Sequence, residues 1–484
     1  MLLNVIFPLM LVNKQFLDIL FPVLNSLTDI TTINSQYMNK LIVVSAFAAL
    51  FSGCPTVSEA KQWSLQECIA YALKNNITLQ KTNIQRLNAL EDVKLSQAAL
   101  LPSLSASTSH NVMYSPWPEA GSYMIAGEKV QTRVDKAYYN GSYGVSGSWT
   151  VWNGGQNRNR IKANELAADQ AALDSATTAN NIQEQIAQLY VQILYSKEAV
   201  NVNRQTLEVS MKNEERGREF VKVGSMSRAD LAQLTAQRAQ DEYALVQAES
   251  GLRDYKRRLK KLLQITNQEE FDIVVPTTTD EMALQAIPNV TSVYESALNN
   301  RPEIKNAMLG MKSSDLQVKM AKAQRMPTLS ANAGFGTNTT SMNDKAWGTQ
   351  LKNNFGMSGG FSVSVPIFDN RQTKTAVNKA MLSKQGYELE LKDQQTTLYS
   401  TIENYWLQAI NNQEQFKSAK ISTQSAQESY ELLSEQFRLK LKNTIELMNG
   451  KDALMRAQQA ELQAKYLAIL NIDMLKFYQS GTLK

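Results

Sequence analysis

The stretch GSYGVSGSWTVWNGGQNR, residues 141–158, changes its period halfway along. Up to Trp152 the residues alternate. Tyr143, Val145, Trp149 and Val151 fall in one row with Gly147, and Ser142, Gly144, Ser146, Ser148 and Thr150 fall in the other. Such alternation of apolar and small polar side chains marks a strand with one greasy face. After Asn153-Gly154-Gly155 there is no Gly or Pro until Gly217, and the pattern becomes helical. Residues 355–372, FGMSGGFSVSVPIFDNRQ, make the same switch. A strand that runs straight into a very long helix, twice in one chain, decides the fold.

Upstream of the first switch, Ser64 and Glu67 form a capping-box pattern that opens a helix, and a second helical stretch over 79–100 stops at Pro102. LPSLSASTS then reads as a strand, and residues 113–140 as a polar, aromatic loop. The second half repeats all of this. Ala297-Leu298-Asn299-Asn300 matches Ala72-Leu73-Lys74-Asn75, and Met326-Pro327-Thr328-Leu329-Ser330-Ala331 matches Leu101-Pro102-Ser103-Leu104-Ser105-Ala106, both at an offset of 225. Beyond the loop the offset becomes 216 and stays there: Ile182, Ile186, Tyr190 and Leu194 pair with Leu398, Ile402, Trp406 and Ile410. Register kept over so many residues is the signature of a duplicated unit. The expected division is an upstream extension and export signal over 1–60, a first repeat over 61–276 and a second over 277–484. Their strands are expected near 102–112, 141–152, 327–337 and 354–367.

A helix over 156–216 would be ~90 Å long at ~1.5 Å per residue. Its apolar positions 182, 186, 189 and 193 step as a coiled-coil seam. A break is expected at 217–228, followed by an antiparallel return helix over 229–263; the second half has its break at 437–445 and its return over 446–477. Residues 264–290 read as a connecting linker. Strands of this length suit a bilayer core, but four cannot close around an aqueous lumen, and lipid does not tolerate open edges. The expected fold is therefore mainly α with a membrane β-barrel portion, completed by copies of the chain. Trp149 would face lipid and Trp152 the inner rim of the membrane.

Composition narrows the function. With 50 basic and 45 acidic residues no nucleic-acid field is built, and one histidine with two cysteines leaves no set for a His triad or a zinc cage. No cofactor is expected. Met38-Asn39-Lys40 followed by LIVVSAFAALFSG reads as an export signal. Its exit is either a small-residue site at Ser58-Glu59-Ala60 or a lipoprotein box, Phe51-Ser52-Gly53-Cys54, with Cys54 acylated. Residues 1–37 read as an upstream extension or a membrane anchor.

W-S-L-x-E-x-I-x-x-A-L-x-x-N near residue 63, L-P-S-L-S at 101–105, W-N-G-G at 152–155 and V-P-I-F-D-N at 365–370, in this order and duplicated, resemble the outer-membrane factor (TolC-like) family. The resemblance implies a homotrimer in which three chains supply twelve strands and twelve helical columns. It also implies docking of the periplasmic tips to an adaptor (membrane fusion) protein and an inner-membrane pump, in an efflux or type I-like secretion system. At the tips it implies docking through Val223, Gly224, Ser227 and Leu231 in the first turn and Leu439, Lys440 and Leu447 in the second. Lys440 stands where the family has Gly, so a differently shaped turn is expected there. Glu446 and Asn449 match the pore constriction, the second without its charge, and Asp230, Lys442 and Phe437 match a latch of the closed state. Three Glu446 carboxylates near one axis would favour cations, and a Lys442–Asp230 bridge would offset their repulsion. The alternative from another class is a periplasmic adaptor or structural coiled coil without a pore.

Overall fold

The computed structural model describes residues 62–118, 122–125, 128–131, 135–266, 271–276 and 278–483. The export signal, its candidate exits and Cys54 lie outside the described residues. In the first half β1 (Gln62–Trp63), α1 (Leu65–Asn75) and α2 (Ile77–Ala98) lead up to β2 (Ser103–Tyr114). The short hairpin β3 (Ser122–Ile125) and β4 (Glu128–Gln131) follows, inside what reads in sequence as a loop. Then come β5 (Ala137–Asn153), α3 (Gln156–Lys222) and α4 (Arg228–Leu262). The connecting segment carries β6 (Asp272–Ile273) and α5 (Asp280–Ala283), after which α6 (Val290–Asn300) and α7 (Pro302–Ala323) rise to β7 (Thr328–Thr340). After α8 (Trp347–Asn353) and β8 (Gly356–Ser364) the chain descends through α9 (Gln372–Arg438) and returns through α10 (Thr444–Ser480). Three corresponding pairs of helices have equal lengths: α1 and α6 have 11 residues, α2 and α7 have 22, α3 and α9 have 67; the return helices α4 and α10 have 35 and 37.

Local chemistry sets the boundaries. Ser64 and Glu67 close the capping box that starts α1, with Ser64 N–H donating to Glu67 Oε2 at 2.8 Å. Strand β8 stops at Ser364 because Pro366, two residues on, has no N–H for a ladder. Helix α3 runs through Gly217 to Lys222 and does not break there. Gly217 is a packing glycine: a Cβ on it would stand 2.7 Å from Leu234 Cδ1 of α4. The glycine that turns the chain is Gly224, at φ +71°.

The strands form one antiparallel sheet in the order β2-β5-β7-β8. Its register puts Leu104, Ala106, Val145, Trp149, Ala331, Phe335, Phe361 and Val363 on one face. The other face carries Ser, Gly, Asn and Thr, and its serines bond across the strands: Ser103 to Ser148 at 2.8 Å, Ser105 to Ser146 at 3.1 Å, Ser109 to Ser142 at 2.7 Å. The helices repeat the strand order. Next to the sheet α2 packs on α3, α3 on α7 and α7 on α9; further down, α4, α3, α10 and α9 form the corresponding row.

Each strand–helix junction uses two consecutive left-handed residues, Gly154 and Gly155 (φ +66° and +80°) in the first half, Asn370 and Arg371 (φ +50° and +68°) in the second. The preceding side chain caps the helix in both. Asn153 Oδ1 accepts from Asn157 N–H at 3.2 Å, and Asp369 Oδ2 from Thr373 N–H at 2.8 Å. At mid-column a core of Ile186, Ile193, Leu259, Ile273, Val293, Ile402, Ile472 and Phe477 joins both halves. Cys68 is wholly buried in it, and burial, with Glu67 nearby, pushes its thiol up to about 12.

The segment between the halves is more than a linker. Strand β6 pairs in parallel with β1. Asp272 binds Lys197 of α3 at 2.8 Å and Lys256 of α4 at 3.0 Å, whereas Asp280 binds Lys420 of α9 at 2.7 Å and Lys465 of α10 at 3.0 Å. It is a strap tied to both hairpins.

Candidate functional site

The two hairpin tips carry every site residue named from the sequence except Cys54. Both turns follow one plan. In the first, Val223 N–H donates to Glu219 O at 3.2 Å, Gly224 N–H to Val221 O at 3.0 Å and Ser225 N–H to Phe220 O at 2.8 Å. In the second, Leu439, Lys440 and Leu441 N–H groups donate to Glu435, Phe437 and Gln436 at 3.0, 3.0 and 2.8 Å. Lys440 takes φ +62°, the same left-handed conformation as Gly224. The different turn shape expected at Lys440 is therefore not found. Left-handed backbone costs a side-chain-bearing residue ~1–2 kcal/mol. The Lys440 ammonium lies 5.3 Å from the centre of the Phe220 ring, a cation–π contact that offsets part of this.

The return helices start alike too. Ser227 caps α4 by accepting from Asp230 N–H at 3.0 Å, and Asn443 caps α10 by accepting from Glu446 N–H at 2.9 Å. Asp230 and Glu446 are thus equivalent third-position acids, each favoured by the positive end of its helix. Ser227 Oγ donates to Asp230 at 2.7 Å; Glu446 takes an ion pair from Lys442, one turn back, at 2.6 Å. That bond, with the Asn443 N–H, holds the Glu446 carboxyl below the usual carboxylate range, so it is ionised at neutral pH.

Within one chain Lys442 and Asp230 do not meet, each being engaged beside itself. Phe437 does not face a surface either. It is buried beside Phe220, ring centres 6.3 Å apart, in a cluster with Leu234, Tyr430, Leu447 and Leu454 that seals the two hairpins together. Leu447 is 1% exposed and Leu231 half-buried, so neither is presented at the tip. The exposed apolar side chains there are Val223, Leu439, Leu441 and Ile445. Leu441 and Ile445 went unnoticed in the sequence because nothing in their spacing separates a surface leucine from a core one. Asn449 is exposed one turn beyond Glu446.

At the other end, the apolar sheet face carries an aromatic group at each margin. His110 bonds Tyr139 and stands edge-on to Tyr143, itself 6.1 Å from Trp347. Trp149 and Trp152 mark the opposite margin. The nine residue steps from Tyr143 to Trp152, tilted as in a barrel, span ~23 Å, close to the ~25 Å apolar band of such barrels. Among the described residues no helix is long and apolar enough to cross a membrane.

A family model described as outer membrane efflux protein matches residues 68–264 and 293–472. The outer membrane efflux protein BepC of Brucella suis biovar 1 is 21% identical over 423 residues, 87% of this chain and 86% of the relative. Outer membrane protein TolC of Vibrio cholerae serotype O1 is 22% identical over 450 residues, 91% of this chain and 95% of the relative. Among solved structures, CusC matches with a TM-score of 0.73 at 14% identity, covering 90% of this chain and 96% of its own. The Campylobacter jejuni CmeC outer membrane channel matches with 0.70 at 18% identity, over 87% and 86%. The chain belongs to the outer membrane efflux protein family. It is a protein of the outer membrane, a channel and not an enzyme.

Proposed function

We infer, with membership of that family as premise, that the chain is the exit duct of a three-part efflux or type I-like secretion system and works as a homotrimer. Cargo would be driven by an inner-membrane pump, handed on through a periplasmic adaptor, and would leave passively. The observation that carries this is the shared order of strands and helices. Each chain is one row, β2-β5-β7-β8 above and α2-α3-α7-α9 below, with an unpaired strand edge and exposed apolar helix residues at both ends. Ile84 and Leu95 are exposed on α2, Leu382 and Leu389 on α9. One end differs from the other, so copies join head to tail and satisfy every edge only by closing a ring. The apolar face then meets lipid and the serine ladder lines the lumen. A poreless adaptor would have no use for such a face.

The tips supply the rest of the reading. Val223, Leu439, Leu441 and Ile445, around Gly224, Ser227 and Lys440, offer an adaptor apolar contact at two like turns. Glu446 and Asn449 face the constriction, where Lys442 gives each Glu446 its own counter-charge. The latch is a Lys442–Asp230 bridge between neighbouring chains, exchanged against the Lys442–Glu446 pair. Purified in detergent, the protein should run as a trimer and conduct ions in planar bilayers; a monomer soluble without detergent would defeat the reading. Glu446→Gln should weaken cation preference, and unaltered selectivity removes Glu446 from the constriction.

A further inference from the structure

The two hairpins are joined by a charge buried in their seam. Lys451 lies two turns into α10, 5% exposed. It pairs with the equally buried Asp241 of α4 and donates to Ser210 Oγ of α3 at 2.9 Å. Ser210 donates to the same carboxylate oxygen, and Gln237 Nε2 donates to the other at 3.1 Å. The Gln237 amide also reaches Asp452 Oδ1 at 3.3 Å, and Asp452 stands 3.8 Å from Lys451 Nζ. Three helices from two hairpins meet in one satisfied polar network. Towards the tip the seam turns apolar, with Leu234, Phe437 and Leu447, and Leu454 belongs to the same cluster on the other side of Lys451.

The duplication shows that this network is not part of the shared framework. The first-half counterpart of Lys451 is Thr235, and the second-half counterparts of Ser210 and Asp241 are Ala426 and Ala457. The charges stand only where the halves face each other. An apolar seam is non-directional and tolerates sliding, whereas a buried ion pair has one register. Pulling the pair apart in a dry interface leaves two bare charges. Pulling it apart so that water enters restores their hydration. The seam therefore has two favoured conditions, closed and dry or open and wet, with little between them.

We propose that Lys451 and Asp241 form a clasp that holds α10 on α3 and α4, and that its release lets the second hairpin swing from the first and widen the tip. The proposal rests on the channel reading. It is distinct from the Lys442 latch, which acts between chains.

The test uses the full-length protein in detergent and in planar bilayers as wild type, Lys451→Met, Asp241→Asn, and the exchange Asp241→Lys with Lys451→Asp. Resting conductance should rise about threefold or more in either single variant and fall back in the exchange. Amide exchange over residues 447–457 should quicken about tenfold in the single variants and recover likewise. Asp241→Asn keeps the shape of the site and serves if Lys451→Met fails to assemble. Single variants that match wild type in both readouts overturn the clasp, as does an exchange no better than its parts. If wild type itself does not conduct, the channel reading falls, and amide exchange alone decides the clasp.

Discussion

At residue 224 the first hairpin turns through a glycine; at residue 440, the corresponding point of the second, it turns through a lysine, and the backbone is left-handed at both. The junctions repeat this, with Gly154-Gly155 in the first half and Asn370-Arg371 in the second. Packing below the turns diverges further. In the first hairpin Gly217 of α3 receives Leu234 of α4; in the second, Leu433 of α9 fills the hollow over Gly450 of α10, where an added Cβ would come within 2.6 Å of it. These four positions correspond in pairs, with large and small exchanged. The comparison teaches that the duplicated framework keeps a backbone path and the summed volume at a contact, while the residue at any one position drifts. Function can then be placed in the differences.

The sharpest break in the comparison is Phe437 against its counterpart Val221. Phe437→Ala should cost the tip about 3–5 kcal/mol, because the cavity lies between both hairpins. Val221→Ala, at a half-exposed site, should cost less than about 1 kcal/mol. Local amide exchange measures both, and equal effects would mean that the hairpins do not share a core. Next comes the exchanged contact. Gly217→Leu alone should destabilise by about 1–3 kcal/mol, yet Gly217→Leu with Leu234→Gly should return to within about 1 kcal/mol of wild type in urea unfolding. A double variant worse than the single one would show that the contact is not reversible.

Smaller still is Lys440→Gly. Relief of left-handed strain, about 1–2 kcal/mol, is opposed by loss of a cation–π contact worth about 0.5–1 kcal/mol and by greater unfolded-state freedom. A net change under about 1 kcal/mol is expected, and the gain should grow in a Phe220→Leu background. The strap should show nothing at neutral pH. Burial alone would raise the Asp272 carboxyl, but hydrogen bonds from Lys197 and Lys256 hold it below its ordinary value of 3.8; bonds from Lys420 and Lys465 hold Asp280 below it too. For such depressed carboxyls the stabilisation is present above 3.8 and is lost as pH falls through the lower folded values. Amide exchange in β6 should quicken only in that acid range. Salt should loosen the more exposed Asp280 tie more than the Asp272 tie.

What was legible in the sequence was what has a period. The alternation over 141–152 and 355–367, the seam of the long helices and the register of the halves all come from side chains repeating on one face. Four things were not legible. Gly217 reads as a helix breaker because sequence does not distinguish a glycine that turns the chain from one that admits a neighbour. Asn370, Arg371 and Lys440 carry no mark of left-handed backbone, and only alignment with the first half points to it. The Lys451–Asp241 pair joins residues 210 apart with no local pattern, and the strap has none either. At the tips, whether Phe437 and Leu447 face a surface or a core depends on which helix lies opposite, which no local pattern records.

The matching order of strands and helices also ties two widths together. Every copy added to a ring contributes four strands and four helical columns, so neither count changes without the other. Helices sit ~8–10 Å apart, whereas tilted strands take ~6–7 Å of perimeter each. A copy thus adds about 32–40 Å of helical perimeter and about 24–28 Å of barrel perimeter. In the closed ring proposed above, the helical section would be the wider of the two at any copy number, with its narrowest point left to whatever draws the free tips together.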